Sequence, residues 1–129
     1  MDVIGIGIDL VRIPRIMDVD HRWGARFRKR VFTPHEIAYA MGHNNPFPHF
    51  AAQFAVKEAV LKAVGTGWKS GTRWLDIESH HAPSGEPKIR LSGKMEKIFF
   101  SRGGEKIFCS ISHEHEYAIA HVVITGVPL

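Results

Sequence analysis

Cysteine is nearly absent: Cys109 is the single one in 129 residues. No intrachain disulfide can form, and a reducing, cytoplasmic setting is expected. The neighbours of Cys109 are apolar, which points to a buried, inert thiol rather than a nucleophile. Long apolar runs are missing as well, so no membrane span is expected. No cationic segment followed by an apolar stretch stands at the start, so no signal peptide is expected. Internal repeats, low-complexity tracts and linkers are also lacking. Acidic residues are outnumbered, 13 against 17 Lys and Arg, for a net charge of +4. That excess favours an acidic partner: phosphates, nucleic acid, anionic lipid or an acidic protein.

What is present is a globular composition. Hydrophobic residues make up 44% and charged residues 23%, which supplies a core and excludes a disordered chain. The length suits one domain, residues 1–129.

The most informative stretch is Phe54-Ala55-Val56-Lys57-Glu58-Ala59-Val60-Leu61-Lys62-Ala63-Val64, followed by Gly65-Thr66-Gly67. It is a run of helix formers without proline, ended by a glycine. Apolar residues go almost all the way round the helical wheel, interrupted only by Lys57, Glu58 and Lys62. Such a helix belongs in an interior. Glu58 and Lys62 lie one turn apart on one face. They read either as a solvent-facing ion pair at the helix edge, or as a metal-ligating Glu beside a phosphate-binding Lys. Thr66 and its flanking glycines can offer backbone N–H groups to a phosphate, although most such tripeptides are turns.

Val3 to Leu10 reads as a strand in strict period two, with Ile4, Ile6, Ile8 and Leu10 on one face. The other face carries Val3, Gly5, Gly7 and Asp9. The two glycines leave room for another element or a ligand to approach the backbone. Asp9, at the strand end, reads either as a cap for the next helix or as a functional carboxylate.

Pro14 fits the first turn of a short helix carrying Ile13, Ile16 and Met17. A second helix is expected from near Asp20, with Trp23, Phe27 and Val31 as its buried stripe. Between Arg12 and Arg30, seven basic residues face only Asp18 and Asp20, an imbalance that suits docking of something acidic. Thr33-Pro34-His35-Glu36 forms a capping box, opening a helix with Ile37, Ala40 and Met41 on its apolar side. His43 to Pro48 is a loop, and the long helix starts near His49. A turn through Lys69-Ser70-Gly71 leads to a strand at Trp74–Glu78. A turn and the short strand Lys88–Leu91 follow. Ser92 caps a helix with Met95, Ile98 and Phe99 inward. Lys106–Ser112 and Tyr117–Ile124 form a final hairpin joined through His113–Glu116. His113 and His115 alone, without further ligands at suitable spacing, are a poor metal site. The fold class is α+β, a mostly antiparallel sheet packed on a long central helix.

Three pieces together resemble one family. Gly5-Ile6-Gly7-Ile8-Asp9-Leu10-Val11, the Phe54–Gly67 stretch, and Ile111-Ser112-His113 with Tyr117-Ala118 resemble motifs of the holo-acyl-carrier-protein synthases. These belong to the phosphopantetheinyl transferase superfamily, and the resemblance spans nearly the whole chain. Two departures stand out: Ile8 replaces a small or hydroxyl residue, and Glu86 replaces the Lys of Gly-Lys-Pro.

The resemblance implies Mg²⁺-dependent transfer of phosphopantetheine from coenzyme A to a serine of apo-acyl carrier protein, releasing adenosine 3',5'-bisphosphate, in fatty acid biosynthesis. It implies Asp9 and Glu58 as metal ligands, and Lys62 and His113 as further catalytic groups. Coenzyme A would be held by Lys62, Gly65, Thr66, Gly67, Gly85, Pro87 and His113. Arg15, Arg22 and Arg26 would dock the acidic carrier protein. It further implies a homotrimer with sites between subunits. Chemistry agrees: phosphoryl transfer needs positioning and charge neutralisation, and a hard cation needs only one or two carboxylates. Two other readings stand. A basic nucleic-acid-binding module explains the arginines but leaves Asp9 and Glu58 unexplained, so no nucleic-acid partner is expected. A transferase serving a polyketide or peptide synthase carrier, instead of the fatty-acid one, is a third reading that the chain's own features leave open.

Overall fold

A helix apolar on nearly every side must be surrounded, and α4 (Phe47–Val64) is. Twelve of its residues are buried, including Phe50, Val56, Val60 and Leu61. The computed structural model describes residues 1–67 and 71–129; the expected turn at Lys69 and Ser70 lies outside them. The chain runs β1 (Asp2–Arg12), α1 (Ile13–Trp23), α2 (Ala25–Val31), α3 (Pro34–Met41) and α4. It continues through a 3₁₀ turn (Trp74–Asp76), β2 (Ile77–His81), β3 (Pro87–Leu91), α5 (Gly93–Ser101), β4 (Gly104–Glu114) and β5 (Tyr117–Gly126). The strands form a three-stranded sheet, β1-β5-β4, and a separate hairpin, β2-β3, all antiparallel. This is the α+β architecture that the sequence predicts.

The β1 glycines explain how α4 meets the sheet. A Cβ on Gly7 would lie 1.9 Å from the Ala59 carbonyl oxygen, and one on Gly5 would lie 2.1 Å from that of Ala63. Strand and helix therefore touch backbone to backbone, which only glycine permits. Gly7→Ala is expected to destabilise by about 1–3 kcal/mol, as overpacking does, because a backbone carbonyl must move. Urea unfolding checks this, and an unchanged midpoint would mean that the helix yields freely.

Several local expectations are corrected. The helix foreseen from Asp20 is broken at Gly24, whose φ of +53° ends α1, and α2 starts afresh. Trp23 is consequently exposed and Phe27 half-buried, while Val31 stays inside. Asp20 is instead buried, paired through both oxygens to Arg28 at 2.6 and 2.8 Å. Met17 and Met41 are exposed rather than inward. Trp74–Asp76 is a 3₁₀ turn, not strand, because the Asp76 carboxylate accepts from the Arg73 N–H and folds the segment back. Ser92 stands at the N-cap of α5, but its side chain caps nothing; its N–H donates to Asp76 O. His113 and Glu114 belong to β4, so the final turn is shorter than expected.

The face of β1 carrying Ile6, Ile8 and Leu10 is exposed. Across it, Ile6, Val123 and Phe108 align in one row, and Leu10, Ile119 and Ser112 in another. One side of the sheet thus packs on α4 and the other presents apolar side chains outward.

Candidate active site

Asp9 leaves β1 two residues beyond Gly7, and Glu58 precedes Ala59 on α4. The Gly7–Ala59 contact therefore brings the Asp9 position of β1 and the Glu58 position of α4 to the same seam. Lys62 closes the seam: its Nζ donates to Ile8 O at 2.9 Å and to Asp9 Oδ1 at 3.1 Å. Asp9 is largely shielded, with its side chain 16% exposed, whereas Lys62 is 54% exposed. The ion pair thus runs from Lys62 to Asp9, across strand and helix. Hard carboxylate oxygens close to an exposed ammonium suit a divalent cation and an anionic ligand.

Beyond Val64 the helix ends in a left-handed Gly65, as expected, and its N–H is committed to Leu61 O. The Thr66 hydroxyl is buried and without a hydrogen-bond partner among the described residues. Of the expected glycine-turn donors, Thr66 and Gly67 are thus better placed than Gly65 to serve a ligand.

Gly85, Pro87 and His113 come together elsewhere. With Tyr39, His49, Gln53, Ser79 and His81 they line a pocket of about 200 Å³. His49 and Glu58 are nine positions apart on α4, about two and a half turns, so they lie on opposite faces. The helix therefore separates this pocket from the Asp9–Lys62 seam. The sequence-predicted residues thus fall into two separate groups in one chain.

The basic residues sort similarly. Arg15, Arg22 and Arg26 are all exposed. Arg15 and Arg22 are seven apart on α1 and share a face. Arg26 lines an open groove of about 590 Å³ with Trp23, Phe27 and Arg30. Cys109 is partly buried, and desolvation pushes its thiol up to about 11, in keeping with an inert role. No group of three or more His, Cys, Asp or Glu among the described residues is placed to hold a metal.

Sequence reasoning missed two constellations. Lys57 is wholly buried and donates to Glu36 Oε1 at 2.8 Å, to Trp74 O at 3.0 Å and to Ile77 O. Glu36, also wholly buried, accepts in addition from the Thr33 N–H, the Ser79 N–H and the Ser79 hydroxyl. Burial lowers the affinity of Lys57 for its proton, and Glu36 opposes that. The signal was present: a Lys among apolar neighbours on an interior helix has to find an acid. The second is a cluster of rings. His43 stacks on His49 at 3.7 Å, Tyr39 stacks on His81 at 4.4 Å, and His49 meets His113 edge-on at 5.7 Å. Burial, then the neighbouring histidines, push His49 and His81 below the usual imidazole range.

Residues 5–122 match the family model of the 4'-phosphopantetheinyl transferase superfamily. A holo-[acyl-carrier-protein] synthase from Koribacter versatilis is 41% identical over 95% of this chain and 98% of its own length. One from Thermodesulfovibrio yellowstonii is 44% identical over 94% of this chain and 97% of its own. Among solved structures, the holo-[acyl-carrier-protein] synthase of Neisseria meningitidis superposes with a TM-score of 0.88 at 31% identity, over 96% and 99% of the two chains. That of Helicobacter pylori, in complex with coenzyme A, superposes at 0.82 with 34% identity, over 93% and 99%.

Proposed function

We propose the function on one premise: the chain belongs to the 4'-phosphopantetheinyl transferase superfamily and is a transferase. It is a holo-acyl-carrier-protein synthase, moving phosphopantetheine from coenzyme A to a serine of apo-acyl carrier protein. A bond forms between the serine oxygen and the phosphorus of the arm. The bond from that phosphorus to the bridging oxygen breaks, adenosine 3',5'-bisphosphate leaves, and the serine gives up its proton.

The observation that carries the site assignment is the Asp9–Lys62 pair on the Gly7–Ala59 seam. Asp9 and Glu58 would hold magnesium, since the hard cation needs one or two carboxylates and keeps its other positions for water and phosphate. Bound there, the ion neutralises pyrophosphate charge. Lys62 adds a compact positive charge on the same side. Gly85, Pro87 and His113 would hold the far end of the coenzyme. Because α4 separates them from Asp9, a second copy supplies them to the first copy's seam. The exposed apolar face of the large sheet suits that association, and a homotrimer is the assembly proposed. Val123→Asp, in the middle of that face, is expected to leave the fold intact and yield monomers with little activity. Light scattering checks this; an unchanged mass with Val123→Asp would move the interface elsewhere.

The test of function is incubation with coenzyme A, magnesium and apo-carrier protein, followed by intact mass. One added phosphopantetheine is expected, and an unchanged carrier mass would refute the reading. Carrier docking is assigned to Arg15, Arg22 and Arg26. Arg22→Glu or Arg26→Glu is expected to raise KM for the carrier by roughly tenfold and to leave KM for coenzyme A nearly unchanged; added salt should mimic the mutation. If coenzyme A is the substrate that suffers, the patch serves the coenzyme.

A further inference from the structure

Asp20 and Arg28 stand eight positions apart, yet they meet fork to fork, Nε on Oδ1 at 2.6 Å and Nη2 on Oδ2 at 2.8 Å. In an unbroken α-helix eight positions rise about 12 Å and end about 80° round the axis, which puts such a two-bond pair out of reach. The pair exists because Gly24 turns the chain between them, at φ +53° and ψ −127°. The backbone closes the same bend: the Gly24 N–H donates to Asp20 O at 2.7 Å, and the Arg28 N–H to Gly24 O at 3.2 Å. The segment beyond the bend needs such ties. α2 has seven residues, no side chain caps its start, and its first turn carries no acid. A helix so short is marginal without tertiary contacts.

The groove of about 590 Å³ spans that bend: Trp23 comes from the end of α1, and Arg26, Phe27 and Arg30 come from α2. Its shape therefore depends on the angle between the two helices, and so does the spacing of Arg22 on α1 from Arg26 on α2. Among the described residues, Arg28 is the one member of the basic run from Arg12 to Arg30 that pairs with a carboxylate. It is half-buried, while Arg22, Arg26 and Arg30 are exposed. We infer that the Asp20–Arg28 pair is a clamp for carrier docking: it fixes the angle between α1 and α2, so that Arg22, Trp23, Arg26 and Arg30 meet the acidic carrier protein in one preset arrangement. Asp20 and Arg28 are thus positioning residues, acting on the carrier through the groove. This rests on the reading of that patch as the carrier's dock.

Charge and geometry give opposite expectations for Asp20. Removing its carboxylate raises the net charge of +4 by one and frees a guanidinium beside the patch. If summed charge governed docking, an acidic carrier would then bind more tightly. If the clamp governs it, binding weakens, because a loosened α2 has to be ordered anew at each encounter. Asp20→Asn separates the two. It keeps the side chain's shape, and its oxygen still accepts from Arg28 Nε. The second oxygen becomes an amide group that faces Nη2 donor to donor, so the fork cannot close.

The experiment is steady-state kinetics of the full chain with coenzyme A, magnesium and apo-acyl carrier protein, comparing wild type, Asp20→Asn and Arg26→Glu. For Asp20→Asn, KM for the carrier should rise roughly three- to tenfold, while kcat and KM for coenzyme A stay within about twofold. The second variant, Asp20→Ala combined with Arg28→Ala, keeps the wild-type net charge and leaves neither partner stranded. It should raise KM for the carrier by a similar factor, and hydrogen exchange should quicken in Ala25–Val31 but not in α4. A carrier KM that falls or stays level in Asp20→Asn, while Arg26→Glu raises it, overturns the clamp alone. Losses shared by both substrates, or a double variant that does not fold, also overturn it, because the pair then supports the whole fold rather than the dock. If Arg26→Glu leaves the carrier KM unchanged, the docking reading fails and the clamp with it.

Discussion

Replacing Lys57 with Met is expected to cost about 3–5 kcal/mol of stability, the usual consequence of leaving a buried carboxylate without its cation. Glu36 is wholly buried, and its two oxygens tie the start of α3, the middle of α4 and the start of β2 into one knot. Without the ammonium, Glu36 must either stay charged in an interior or take up a proton. The carbonyls of Trp74 and Ile77 lose their donor as well. A drop on the order of 10–20 °C in melting temperature follows for a chain of this size. Glu36→Leu is expected to be about as damaging, since it strands Lys57, the Thr33 N–H and the Ser79 N–H. The double variant should be less destabilised than the sum of the singles, because two members of one network have been removed together. It should not recover fully, because the backbone groups remain unpaired. Urea unfolding of the two singles and the double decides. Additive losses, or a loss below about 1 kcal/mol in either single, would show that the pair carries little of the fold.

That knot also marks where the sequence stopped being readable. Each half was visible locally. Glu36 stood out as the end of a capping box, and the structure keeps that role, with the Glu36 N–H donating to Thr33 Oγ1 at 3.2 Å. Lys57 stood out as a charge on an interior helix. Their partnership spans 21 positions and depends on how α3 lies across α4, which no local pattern encodes. The same holds for the ring cluster, whose members are spread from Tyr39 to His113 and meet only in the folded chain. By contrast, β1, α4 and the closing hairpin were legible, because period two, all-round apolarity and turn residues act over neighbouring positions. The Gly5 and Gly7 face was read as leaving room for another element or a ligand, and α4 is the element that approaches it. Errors gathered where one residue overrode the surrounding pattern: Gly24, whose backbone takes a positive φ and splits a helix, and Asp76, whose carboxylate bends an expected strand into a 3₁₀ turn.

Lys62→Ala is expected to lower turnover by about 100-fold or more, if losing it resembles losing one preorganised donor to a developing charge. In the free protein Lys62 holds Asp9 and the Ile8 carbonyl, and it is more than half exposed. An exposed pair of this kind contributes little to stability, and salt screens it further. The melting temperature of Lys62→Ala should therefore barely move. The competing explanation is that Lys62 merely pins β1 to α4, in which case turnover would survive and only local order near Asp9 would suffer. Asp9→Asn separates the two. It keeps the shape of the side chain and an oxygen for Lys62, yet removes the charge that a divalent ion requires. If the seam is a metal and phosphate site, Asp9→Asn should lose most activity, and excess magnesium should recover part of it by mass action. Lys62→Arg should restore little, since a planar fork does not replace a compact ammonium at a phosphate. If Asp9→Asn and Lys62→Ala both turn over normally, the Asp9 carboxylate on β1 is a structural partner of Lys62, and the chemistry must lie with Glu58 and the groups beyond Gly65.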